Sequence, residues 1–262
     1  MTTLPTVFVS HGAPTLAVEP GATGPALSTL GRELSRPKAI LMVSAHWETA
    51  RPAASTARQP ETIHDFGGFP QALYQLQYSA PGAPELAARV KGLLDAAGFS
   101  TALDPQRGLD HGAWVPLRYL YPDADVPVTQ LSIQSHLGPQ HHYRVGEALR
   151  PLAREGVLVI GSGSLTHNLY ELRLRGGPVE TAPYAREFQQ WVYDKAVAND
   201  VEALIDYRRL APHAERAHPT EEHFLPFFVA LGASDGARSA RRINDEMTYG
   251  ALAMDAYVFD GE

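Results

Sequence analysis

Apolar runs that stop abruptly at small polar turns set the layout of this chain. Ala39-Ile40-Leu41-Met42-Val43 runs into Ser44-Ala45-His46-Trp47-Glu48, and Thr6-Val7-Phe8-Val9-Ser10 runs into His11-Gly12-Ala13-Pro14. Further on, Val157-Leu158-Val159-Ile160 runs into Gly161-Ser162-Gly163-Ser164 and then Leu165-Thr166-His167-Asn168. Short apolar runs with β-branched members predict strands buried on both faces, the pattern of a parallel sheet. Ligands of open α/β sheets bind where such strands end. His11, His46 and His167 are therefore expected at one edge of one sheet, converging on a metal ion.

The segments between follow helical spacing. Ala26 to Leu34 predicts a short helix. Pro84, Leu86, Val90, Leu93, Leu94 and Gly98 predict an amphipathic helix covering one sheet face. Phe99, Thr101 and Leu103 alternate as an edge strand, Gly108 to Trp114 reads as a loop carrying His111, and Val128 to Ile133 as a strand. Pro139 to Glu155 predicts a helix kinked or restarted at Pro151. Pro183 to Val197 predicts another, its Tyr184, Phe188, Trp191 and Val192 packing into the core. Asp200 caps a short helix through Tyr207. Pro219 to Pro226 opens a helix with Thr220 as N-cap and His223 in the first turn, where the helix dipole favours neutral imidazole. Met254 to Phe259 closes the chain as a strand. Residues 50–83 form a long connection whose Thr62 to Pro70 portion reads either as a binding loop or as a Gly-Gly turn pinned by two phenylalanines. The expected architecture is a single α/β domain with a central, largely parallel sheet flanked by helices.

Composition narrows the chemistry. With 262 residues, 44% hydrophobic and 19% charged, the chain can bury a large core unaided. A net charge of -7 with scattered Lys and Arg points away from nucleic acid and membrane surfaces and toward a small-molecule enzyme. Zero cysteines exclude disulfides, thiolate zinc sites and cysteine nucleophiles, so His, Asp and Glu must hold any metal. No leader pattern and no apolar run of roughly 20 residues is present, so a soluble cytoplasmic protein is expected.

Of 11 histidines, His136, His141, His142, His213 and His218 stand in polar surroundings and read as surface or hydrogen-bonded structural residues. Imidazole suits zinc, iron, copper and nickel alike. Three such ligands with open positions serve a zinc-activated water or an iron centre that binds substrate and dioxygen. Gly161-Ser162-Gly163-Ser164 lacks the order of a nucleophile elbow and the third glycine of a dinucleotide fingerprint, no lysine follows a glycine loop as in a P-loop, and there is no His-Glu-x-x-His.

Taken together, His11-Gly12-Ala13-Pro14, Ser44-Ala45-His46-Trp47, Thr62-Ile63-His64-Asp65-Phe66-Gly67-Gly68-Phe69-Pro70, Leu109-Asp110-His111-Gly112, Thr166-His167-Asn168 and Glu222-His223-Phe224-Leu225-Pro226 resemble the 4,5-DOPA extradiol dioxygenase family. That family is a branch of the class III extradiol ring-cleaving dioxygenases, related to the protocatechuate 4,5-dioxygenase β chain. The resemblance implies one catalytic domain over residues 1–262 that opens the ring of a DOPA-like catechol with dioxygen. It implies a metal held by His11, His46 and His223, with His167 as fourth ligand or as acid/base and His111 bonding oxygen or returning a proton. Fe(II) is implied for activity, with zinc possible in its place. The wider class commonly has a glutamate where His223 stands. Two rivals keep the same histidines: a zinc hydrolase with Glu48 or Glu222 as base, and a closed structural zinc site.

Overall fold

A computed structural model describes residues 3–172, 179–234 and 239–260. Its strands are β1 (Thr6–Ser10), β2 (Ala39–Glu48), β3 (Ala53–Ser55), β4 (Ala102–Asp104), β5 (Val128–Ile133), β6 (Val157–Gly163), β7 (Ser239–Asn244), β8 (Met247–Thr248), β9 (Leu252–Ala253) and β10 (Ala256–Asp260). The helices are α1 (Thr23–Glu33), α2 (Pro84–Ala96), α3 (His111–Leu120), α4 (Gly138–Leu149), α5 (Pro151–Glu155), α6 (Pro183–Val197), α7 (Val201–Ile205), α8 (Tyr207–Leu210), α9 (Ala214–Ala217) and α10 (Leu225–Ala233).

Eight strands form one sheet in the order β4-β3-β5-β2-β6-β1-β10-β7, while β8 and β9 pair separately. Its centre, β5-β2-β6-β1, is parallel. Antiparallel joints stand at β3/β5, β1/β10 and β10/β7. The apolar runs split by alternation. Phe8, Leu41, Val43 and Val159 face a core closed by α2, α4, α6 and α10; Val7, Val9, Ile40, Met42 and Ile160 face one closed by α1 and α3. The expected single-domain α/β fold with a mostly parallel sheet is what forms.

Several elements differ from the pattern-based reading. Residues 50–83 contain β3, a three-residue strand too short to show a period. Strand β7, Ser-Ala-Arg-Arg-Ile-Asn, lies at the sheet edge, where one polar side is tolerated. Gly108 to Trp114 is not all loop: α3 begins at His111, with the Asp110 carboxylate capping the Ala113 N–H. Gly112 and Pro116 disguise that helix. The last helix starts at Leu225 rather than near Thr220, whose hydroxyl instead donates to Glu222. His223 lies ahead of it because its carbonyl accepts from Ser164 N–H (2.8 Å), which ties it to the end of β6.

Candidate metal centre

Each strand end places its histidine by a local device. His11 follows β1, and its N–H donates to the Gly163 carbonyl (2.9 Å). His46 lies where the β2–β5 register jumps, since Val43 faces Leu131 and Glu48 already faces Ile133. Such a bulge re-aims side chains, here carrying the His46 ring toward His11. Gly161 and Gly163 admit the backbone of residues 223–226: a Cβ at Gly163 would stand 2.0 Å from the His223 carbonyl oxygen, and one at Gly161 2.1 Å from that of Pro226.

Nε2 of His46 is 3.0 Å from Nε2 of His11 and 3.3 Å from Nε2 of His223. Nitrogens about 2.1 Å from one ion are about 3.0 Å apart at a right angle and about 3.4 Å apart at the tetrahedral angle. The three imidazoles therefore fit a single transition-metal ion. Their tautomers agree with this. Pro116 has no N–H for the Gly112 carbonyl one turn back, and the Ser162 hydroxyl donates to that carbonyl instead. With its only proton committed, Ser162 must accept from Nδ1–H of His11 (3.0 Å), which leaves a lone pair on Nε2. Glu222 likewise accepts from Nδ1–H of His223 (3.0 Å), and Asp65 faces Nδ1 of His46 at 3.6 Å. Such partners orient a metal-binding imidazole.

Burial, then the neighbouring imidazoles, holds His11 and His223 well below their ordinary pKa. Burial also lowers His46 to about 4, aided by His111 and opposed by Asp110 and Asp65. All three are neutral at pH 7, as metal ligation requires. Neutrality of His223 comes from burial, not from a place in a helical first turn.

Two more histidines flank the triangle. His111 packs against His46 with ring centroids 4.0 Å apart and donates Nδ1–H to Asp65 (3.0 Å). Burial raises the Asp65 carboxyl, but its hydrogen bond to His111 and the charges of His111 and His46 outweigh that and bring it to about 2. His167 stacks on His223, with Nδ1 3.8 Å from Glu222. Burial lowers His167 to about 4, against the pull of Glu222. The third corner nearest His11 and His46 is thus His223, and His167 groups with Glu222 and His223 instead. All five open onto a cavity of about 390 Å³ walled mainly by Ala13, Pro14, Phe66, Phe69, Leu172 and Leu252. The 62–70 segment does wall this cavity, although His64 turns away to the Leu76 carbonyl (3.0 Å).

Ser162 and Asp65 carried no signal as site residues, since nothing in a serine between glycines announces an orienting role. His142 and His218 are structural as expected, but both are buried rather than in polar surroundings. Glu48 bonds Ser135 and Glu222 bonds Nδ1 of His223, so neither carboxylate is placed as a hydrolytic base on the Nε2 side.

An open α/β sheet whose strand ends gather imidazoles beside an apolar cavity defines the class of metal-dependent enzymes acting on small molecules. Residues 6–259 match the catalytic LigB subunit of aromatic ring-opening dioxygenase, and the chain belongs to that family. It is an aromatic ring-opening dioxygenase of a metal-dependent kind. It is 45% identical to the 4,5-DOPA dioxygenase extradiol of Beta vulgaris, over 97% of this chain and 96% of that one. The protein of that name from Escherichia coli K12 is 37% identical over 97% and 93%. A crystal structure of an uncharacterized Escherichia coli K12 protein superposes with a TM-score of 0.81 at 31% identity, covering 98% and 99% of the two chains. Among the described residues, no helix is long and apolar enough to cross a membrane.

Proposed function

We propose that residues 1–262 act as one catalytic unit that cleaves a catechol, DOPA-like in carrying a side chain on a single ring, by the extradiol route. The observation that carries this reading is the convergence of three Nε2 atoms, with spacings of 3.0 and 3.3 Å, beside an apolar cavity flanked by two further histidines. His11, His46 and His223 would hold the metal. Bound Fe(II) would supply Lewis acidity toward the diol and electrons toward dioxygen, whereas redox-inert zinc would supply only the former.

The protein's own groups do the rest. Neutral His167 accepts a proton from a catechol hydroxyl, and Glu222 at 3.8 Å stabilises the imidazolium formed. His111, with Nδ1–H committed to Asp65, presents a lone pair on Nε2 that must take up a proton before it can bond oxygen or return that proton. Phe66 and Phe69 wall the aromatic ring and keep water from the opened product. The buried lining also favours the acid/base role of His167 over ligation, because its ring is stacked on a ligand rather than aimed beside one.

The test is anaerobic reconstitution with Fe(II), then addition of L-DOPA or a simple catechol in air while the visible spectrum is recorded. A yellow ring-opened product that needs both iron and oxygen is expected. Tight zinc binding, refusal of iron and no product across a catechol panel would overturn the reading.

A further inference from the structure

We infer that Asp65 is a positioning residue of this reaction and acts through His111. A single carboxylate oxygen, Oδ1, accepts both the backbone N–H (2.9 Å) and the ring Nδ1–H (3.0 Å) of His111. The backbone donor is among the N–H groups left without a partner at the start of α3. Main chain and ring of His111 are thus fastened to the same atom. Since an ionised carboxylate only accepts, the proton of the neutral ring sits on Nδ1 and the lone pair on Nε2. A flipped ring would place carbon against the carboxylate and lose that bond.

This role is separable from holding the loop. Residues 62–78 have their own fastenings: Trp114 Nε1 donates to the Ile63 carbonyl (3.0 Å), His64 to Leu76 (3.0 Å), and Tyr78 N–H to the Thr62 hydroxyl (2.9 Å). Phe66, the next residue, meets the His111 ring edge-on at 5.7 Å and walls the cavity. A substrate ring seated on Phe66 therefore meets an imidazole whose orientation is set one residue away. Sequence proximity couples the wall to that imidazole.

The inference rests on the part proposed for His111 in turnover, and the experiment separates the two. Asp65→Ala, Asp65→Asn, His111→Ala and the double variant Asp65→Ala/His111→Ala are compared as iron-loaded enzymes, with iron content and thermal midpoint measured on each. Asp65→Ala should lower kcat about 10- to 100-fold, the range for losing a partner that orients an active-site ligand, with the catechol KM within about 2-fold. Asp65→Asn keeps an accepting oxygen and should recover part of kcat. In the His111→Ala background, removing Asp65 should cost no further kcat per bound iron, because coupled residues are non-additive; any effect through His46, whose Nδ1 faces the other carboxylate oxygen at 3.6 Å, is read in the iron content. Independently of activity, nitrogen-15 spectra of the metal-free protein should show His111 as the Nδ1–H tautomer, shifting toward Nε2–H in Asp65→Ala. Additive losses in the double variant, or an unchanged tautomer, would overturn the inference. Wild-type kcat in His111→Ala would overturn the role of His111 with it, while absence of ring-opened product from the unmodified enzyme would remove the proposed function itself.

Discussion

The imidazole rings of His167 and His223 lie face to face, with centroids 3.4 Å apart and planes within 13° of parallel. An imidazole binds an ion in its own ring plane. Two parallel rings stacked at this distance cannot both aim a nitrogen at one ion. With Nε2 of His223 facing His46, the nitrogens of His167 remain available for proton transfer.

His167→Ala should accordingly keep its metal and lose turnover. The expected fall in kcat is about 10²- to 10⁴-fold, the usual worth of a general base. Metal analysis alongside steady-state kinetics decides it, because loss of the ion would make His167 a ligand.

His46→Ala removes a corner of the triangle from a strand end whose backbone is held elsewhere, Arg107 donating to the His46 carbonyl (3.2 Å) and Ser44 accepting its N–H (3.2 Å). Metal affinity should fall more than about 100-fold, beyond the range for losing a mere orienting partner. Circular dichroism should show the fold retained. Stoichiometric metal in this variant would refute the site.

Ser162→Ala leaves both Nδ1–H of His11 and the Gly112 carbonyl without their partner. Chelator competition should register a loss of about 10- to 100-fold in metal affinity. Pro116→Ala approaches the same joint from the other side. Its new N–H competes for the Gly112 carbonyl, and the freed Ser162 proton can turn toward His11, so a smaller loss of the same kind is expected.

Gly163→Ala drives a methyl group against backbone, 2.0 Å from the His223 carbonyl oxygen. Overpacking of this kind costs about 1–3 kcal/mol. A lowered thermal midpoint should accompany weaker metal binding, because the displaced atom belongs to a residue of the proposed triangle.

His142 gives the metal-free protein an acid weakness. Its Nδ1–H donates to the Gly138 carbonyl and its Nε2 accepts the Gln134 N–H, while burial lowers its pKa from 6.5 to about 3. Above pH 6.5 both folded and unfolded chains hold it neutral. As pH falls from 6.5 toward 3, the unfolded chain takes a proton that the folded one refuses. At pH 4 this linkage costs about 3 kcal/mol. Urea unfolding at pH 7 and pH 4 should show a smaller pH-dependent loss in His142→Gln than in the parent.

The strands were legible because their apolar residues are continuous, and β1, β2 and β6 stand where those runs do. Helix α3 was hidden by Gly112 and Pro116, whose local preferences oppose helix while tertiary packing and the Asp110 cap enforce it. Strand ends pointed to His11, His46 and His167, and the expected helix start gave His223 only a neutral imidazole, its place in the triangle coming from the family resemblance. Ser162 and Asp65 were invisible because their roles depend on partners 151 and 46 residues away.

The pairing of first strand with last, Thr6 opposite Phe259, has a consequence for synthesis on the ribosome. β1 gains neighbours only when β6 and then β10 arrive, and the third corner of the triangle waits for residue 223. Contacts so distant in sequence form slowly. Closure of the proposed metal triangle is thereby deferred until residue 223 is made, so a nascent product cut before it carries two of the three imidazoles and no finished pocket.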